Sequence, residues 1–175
     1  QTGGKARLKT RFKMRWNKNN LYVGIRCDEP EKDKLKVAST RNDDPAIRNG
    51  DYVALLIETD THSYYEIAVN TAGAVLDLDL EAGTNLQWAS QAEVFTHAGE
   101  GFWSVEARIP VLKQNDDPLH GVTGGTPSRS FPWHFNVCRQ RLREAGGEWS
   151  AYVPTGSSEF RDKLKFGRLF LRHSR

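Results

Sequence analysis

The chain has 175 residues, of which 38% are hydrophobic and 27% charged, and its formal net charge is +3. That length suits one domain with its own core, and the composition is that of a folded domain in water. So mild a charge does not by itself argue for a nucleic-acid binder, where a clustered basic patch is expected, and no apolar run approaches the roughly 18 residues a membrane-spanning helix needs.

The first periodic segment runs from Leu8 to Trp16, where Leu8, Thr10, Phe12, Met14 and Trp16 alternate with Lys9, Arg11, Lys13 and Arg15. Period two predicts a strand with one buried and one solvated face. Its basic row reads as a charged outer face, with an anion-binding stripe as the alternative. After the turn Asn17–Asn20, Leu21–Cys27 forms the second arm of a hairpin. Asp28 to Gly50 breaks the pattern with Glu29-Pro30 and Asn42-Asp43-Asp44-Pro45, a long loop with room for one helical turn. Tyr52–Glu58 is continuously apolar and predicts a central strand. Tyr64–Asn70 and Ala74–Leu80 flank Ala72-Gly73 as a hairpin, and Gln91–Thr96 pairs with Phe102–Ile109, which Pro110 terminates. Val111–Arg129, rich in Gly and Pro, reads as a loop. Strands resume at Trp133–Leu142, Trp149–Val153 and Phe166–Leu171. Short strands punctuated by turns, without an amphipathic helix, predict an all-β antiparallel sandwich.

Catalytic signatures are missing: no phosphate-binding loop, no dinucleotide fingerprint, no nucleophile elbow and no HExxH. His62, His97, His120 and His173 lie in or beside turns or at the terminus, and His134 lies within a strand. Asp77 and Asp79 share one face of their strand, opposite Leu76, Leu78 and Leu80, and read as a solvated face; Glu106 likewise points outward. No acid and base are set in contrasting environments, as general acid–base chemistry requires, so the chain is not expected to be an enzyme. Cys27 and Cys138 sit in no metal-binding spacing; a bridge and two buried thiols both stay open. Asn42, Asp43, Asp44 and Asp51 cluster around a tight loop, where an oxygen-rich set suits calcium but also makes ordinary turns. Trp16, Trp103 and Trp133 fall in strand patterns and read as core. Phe160, in the polar loop Ser157–Asp162, reads as an exposed ring able to stack on a sugar, with Trp149 nearby.

Several segments, in order and spacing, resemble the family 9 carbohydrate-binding modules from about Leu8 to Leu171. They are Asn20-Leu21-Tyr22-Val23, Gly50-Asp51-Tyr52-Val53, Tyr64-Tyr65 with Val69-Asn70 and Gly73, Trp103-Ser104-Val105-Glu106 with Ile109-Pro110, Trp133 to Val137 with Arg139, and Phe166-Gly167-Arg168-Leu169. The resemblance implies an immunoglobulin-like or jelly-roll-like sandwich, bound calcium, and a place beside polysaccharide-degrading enzymes. It also implies two tryptophans clamping a terminal sugar. At the matching positions this chain has Arg48, three residues before Asp51, and Phe160, six before Phe166-Gly167; the acidic residue expected three after Asp51 is Ala54. The expectation is one domain over residues 1–175, cut from a longer exported protein with further domains. It would be a non-catalytic module binding a mono- or oligosaccharide or a polysaccharide end through Arg48, Phe160 and Trp149, with calcium on Asp43, Asp44 and Asp51. The alternative is a structural or protein-interaction sandwich that has lost sugar binding. A haem-binding or enzymatic relative is a third reading, weakened by the lack of a CxxCH motif.

Overall fold

The computed structural model describes residues 4–17, 19–60, 63–81, 86–111, 127–157 and 159–171. The strands are β1 Thr10–Asn17, β2 Asn20–Asp28, β3 Tyr52–Asp60, β4 Ser63–Asn70, β5 Val75–Asp79, β6 Glu93–Gly99, β7 Phe102–Pro110, β8 Trp133–Arg143, β9 Gly146–Ala151 and β10 Gly167–Leu169. Every expected strand is present, with ends shifted by a few residues. The helical turn expected before Gly50 is the 3-10 turn Pro45–Asn49, capped by the Asp44 carboxylate, which accepts from the Ala46 amide. Most of the loop expected at Val111–Arg129 lies outside the described residues, as do His62, His120 and His173. Among the described residues no helix is long and apolar enough to cross a membrane.

Two antiparallel sheets face each other. One has the order β1-β2-β7-β6; the other runs β10-β8-β3-β4-β5, with β9 also paired to β8. Between them lie the alternate residues of each strand, Leu21, Val23 and Ile25 from β2, Trp103 and Val105 from β7, Val53, Leu55 and Ile57 from β3, and Trp133, Phe135 and Val137 from β8. The continuous apolar run of β3 has a further cause. Its other face, Tyr52, Ala54 and Leu56, is buried in a second cluster with Ile47 of the 3-10 turn and with Phe160 and Phe166. Because the larger sheet is covered on both sides, β3 has no solvated face to mark with polar residues. β1, at the edge of its sheet, keeps the predicted alternation, with Phe12, Met14 and Trp16 half-buried and the basic row exposed.

One expectation changes, and one open alternative closes. Asp77 is buried rather than solvated, 7% exposed, and accepts from the Ser90 amide at 2.6 Å. The segment after β5 folds back over this strand, stacking Trp88 on Tyr65 with ring centroids 4.6 Å apart. Cys27 and Cys138 are free and buried in the two separate clusters.

At one end of the sandwich β8 extends beyond its apolar residues as Arg139, Arg141 and Arg143, which by strand alternation share the face of Val137. All three converge on Glu29, which has no exposed surface. Arg139 Nη2 and Arg141 Nε donate to Glu29 Oε2 at 3.1 and 2.8 Å, and Arg143 Nη2 lies 2.7 Å from it. Arg143 Nη1 also donates to Asp51 Oδ2 at 2.7 Å, and Asp51 accepts from the Leu142 and Lys36 amides. Both ends of the long loop between β2 and β3 are thereby tied to one strand. Its return leg passes so close that a Cβ on Gly50 would lie 2.4 Å from the Lys36 carbonyl oxygen, so only glycine fits there. Burial alone would raise the Glu29 carboxyl. The hydrogen bonds from Arg141 and the Glu31 amide, with the Arg143 and Arg141 charges, hold it below its ordinary value instead.

Removing one partner of a buried ion network strands the others without compensation. Glu29→Ala is therefore expected to cost about 3–5 kcal/mol in urea unfolding, whereas Glu31→Ala, at the solvated end of the network, leaves the midpoint nearly unchanged. Equal effects of the two variants would refute this account.

Candidate functional site

The outer face of the larger sheet carries a polar groove of about 410 Å³, lined by Arg48, Tyr52, Gln140, Trp149, Glu159 and Arg161. Its floor comes from the strands: Tyr52 opens β3, Gln140 lies in β8 on the face opposite the arginine row, and Trp149 lies in the neighbouring β9. The 3-10 turn supplies Arg48, and the loop before β10 supplies Glu159 and Arg161.

Gln140 sets the geometry. Its side-chain nitrogen donates to the Arg48 and Gly50 carbonyls at 2.6 and 2.8 Å, and its oxygen accepts from the Trp149 indole at 2.8 Å. One buried amide thus fixes both the loop that presents Arg48 and the orientation of the half-buried indole. Beneath the groove is Glu66, 2% exposed. Arg48 Nη2 lies 2.7 Å from its Oε2, and Arg161 Nη2 donates to the same oxygen at 3.3 Å. Two guanidiniums share one buried carboxylate, and the buried Arg161 Nε has no hydrogen-bond partner among the described residues. Burial, and then the charge of Glu66, push the Tyr52 phenol up to about 12, so it stays a neutral hydroxyl.

Of the three contact residues expected from sequence, Arg48 and Trp149 meet in this groove. Phe160 does not present its ring. It is 2% exposed, packed in the second apolar cluster, and its backbone has φ 62°. A left-handed conformation costs a non-glycine residue roughly 1–2 kcal/mol, and burying a large ring offsets that cost. The bend turns Phe160 inward while its neighbours Glu159 and Arg161 line the groove. Ala54, at the position where an acidic residue was expected, is buried in the same cluster.

Glu66, Gln140 and Arg161 were not singled out from sequence. For Glu66 a signal existed: a lone carboxylate in the otherwise apolar Tyr64–Val69 run has to be paired once both sheet faces are covered.

The expected metal trio does not gather. Asp44 caps the 3-10 turn and binds Ser39 and Arg41, while Asp51 binds Arg143 and two backbone amides. Only Asp43, in left-handed backbone with φ 57°, meets another carboxylate, that of Asp77. Among the described residues no three His, Cys, Asp or Glu side chains assemble as a metal cage.

No family sequence model and no curated protein matches this chain. Solved structures do match in fold. A candidate carbohydrate-binding protein from Bacteroides uniformis ATCC 8492 superposes with TM-score 0.70 at 14% identity, over 92% of this chain and 77% of that one. A family 9 carbohydrate-binding module from Caldicellulosiruptor kristjanssonii, in complex with glucose, gives TM-score 0.67 at 14% identity over 99% and 81%. The same organism's module with cellotriose gives 0.67 at 15% over 99% and 80%.

The adjacent Asp43 and Asp44 titrate in opposite directions. Hydrogen bonds from Ser39, the Ala46 amide and Arg41 hold Asp44 at about 2, so its contribution to stability is present above its unfolded 3.8 and is lost as pH falls toward 2. Burial first, then the hydrogen bond and charge of Asp77, push Asp43 above its ordinary 3.8. The folded state then holds that proton more tightly than the unfolded state does. Its contribution is full below 3.8 and declines as pH rises through the folded value. Asp43→Asn, which mimics the protonated side chain, is expected to raise Tm toward neutral pH in chelated buffer and leave it unchanged in acid. A Tm difference independent of pH would refute this.

Proposed function

We propose that this domain, which has the fold of the family 9 carbohydrate-binding modules, is a non-catalytic module that binds a sugar in the groove between Arg48, Trp149 and Arg161. One observation carries the reading. An indole held by Gln140 stands beside two guanidiniums anchored on a buried carboxylate. A pyranose offers an apolar C–H face to the ring and hydroxyls to the surrounding donors, so both halves of the groove find a match. The modules of like fold hold glucose and cellotriose, which supports this class of ligand. Arg48 takes the place of a clamping ring; its planar fork can stack as well as donate. Phe160 acts from beneath, fixing the loop that carries Arg161. The domain would serve as an accessory part of a larger exported protein that degrades polysaccharide, working beside that protein's other domains on a mono- or oligosaccharide or a chain end.

Calcium enters this proposal at one place, the Asp43–Asp77 pair, where two carboxylates held together call for a proton or a cation. Calcium chloride is expected to raise Tm of the wild type and not of Asp77→Asn; equal shifts in both would remove the ion from the account.

The competing reading, a sandwich that serves structure or protein interaction, draws on the buried Phe160 and on Arg48 at the ring position. Calorimetric titration against a glycan panel separates the two. Binding to at least one sugar is expected, weakened tenfold or more by Trp149→Ala, a loss of about 1.4 kcal/mol. Silence across mono-, oligo- and polysaccharides would leave the competing reading.

A further inference from the structure

The four-stranded sheet has an outer face that the groove does not use. The residues of β2 that alternate with its buried Leu21, Val23, Ile25 and Cys27 are Tyr22, Gly24 and Arg26, which therefore point away from the core. Strand register places these among their neighbours in straight rows. Lys13, Gly24, Glu106 and Phe95 stand side by side across β1, β2, β7 and β6, and Arg15, Tyr22, Arg108 and Glu93 form the next row. Four strands at sheet spacing make each row roughly 14 Å wide.

This face holds an open groove of about 870 Å³, lined by both rows. Gly24 is its floor: a Cβ there would meet nothing within 4 Å, so the missing side chain leaves empty space above the strand. Two rings stand beside that floor, Phe95 at 76% exposed and Tyr22 at 36%. A phenylalanine so exposed contributes little to the fold.

The charges of the two rows are unequally used. Arg108 is held by Glu93 and Asn20. Among the described residues Lys13 and Arg15 are in no ion pair, and Glu106 is the unpaired acid. Two free cations face one free anion around an aromatic-walled channel. A second copy of this face would bring like charges together, and a densely charged phosphate polymer would meet Glu93 and Glu106 along the channel. A sugar chain carrying carboxylates at intervals suits both the rings and the spacing of charge.

We propose that the outer face of the four-stranded sheet is a second binding site, taking an internal stretch of an extended acidic polysaccharide across Phe95, Gly24 and Tyr22, with Lys13 and Arg15 meeting its carboxylates. The site is separate from the Trp149 groove, on the opposite sheet, and stands or falls independently of it.

Native electrophoresis through gels containing polygalacturonate, a neutral β-glucan or no polymer tests this, with a dT oligonucleotide titrated separately. The wild type is expected to be retarded by polygalacturonate more than by the glucan, with retardation fading as salt rises. Phe95→Ala and Gly24→Leu are each expected to weaken retardation tenfold or more while leaving Tm unchanged, because neither site is packed. If either variant fails to fold, the paired change Lys13→Gln with Arg15→Gln at exposed positions serves in its place. No retardation, retardation indifferent to these variants, equal Phe95-dependent retardation by the glucan, or tighter Phe95-dependent binding of the oligonucleotide would overturn the proposal. Calorimetry with short neutral oligosaccharides reports on the Trp149 groove alone, so loss of that reading and loss of this one are told apart.

Discussion

A carboxylate with no exposed surface, shared by three guanidiniums, is the constraint around which one end of this domain is arranged. Glu29 sits where β2 gives way to the long loop, and Arg139, Arg141 and Arg143 lie on alternate positions of β8. A buried charge is tolerable only when matched, and its removal costs more than its presence contributes. Once Glu29 is placed, β8 has to pass beneath it in one register. Arg143 then reaches Asp51 and fixes the return of the loop. The chain between β2 and β3 is long, yet both its ends are bound to the same strand.

The two faces of β8 do different things. One continues the apolar core into the arginine row. The other carries Asn136, Cys138 and Gln140. Gln140 takes two carbonyls of the loop and the indole of Trp149, so the groove inherits its geometry from the strand that the ion network has placed. Slipping β8 by one residue would exchange these faces, burying Gln140 among apolar side chains and turning the arginines toward the groove. Network and groove therefore rest on a single register.

The groove also shows how one fold accommodates different contact chemistry. Where an aromatic clamp was expected there is an arginine on one side and an inward-turned Phe160 on the other. The ring available for contact is Trp149, and the polar partners are guanidiniums held by Glu66. A planar ion braced by a buried carboxylate is more rigid than a free arginine and loses less entropy on binding.

Periodicity and turn signals together determined the strands and the sandwich class, and alternation determined the two faces of β1, because period two is a local consequence of the pleat. The continuous apolar run marked β3 as central, although it did not reveal that loop residues cover the second face of its sheet. Tertiary structure decided the rest. Asp77 became buried because the segment that follows β5 folds back over it. Phe160 turned inward because its backbone is left-handed and an apolar cluster lay beneath it. Asp43, Asp44 and Asp51, close in sequence, went to different partners. Glu29, Glu66 and Gln140 matter for the residues facing them, 110, 95 and 92 positions away in the chain. A charged residue's role is set by whether it is buried and by what meets it there, and neither is a local property of the sequence.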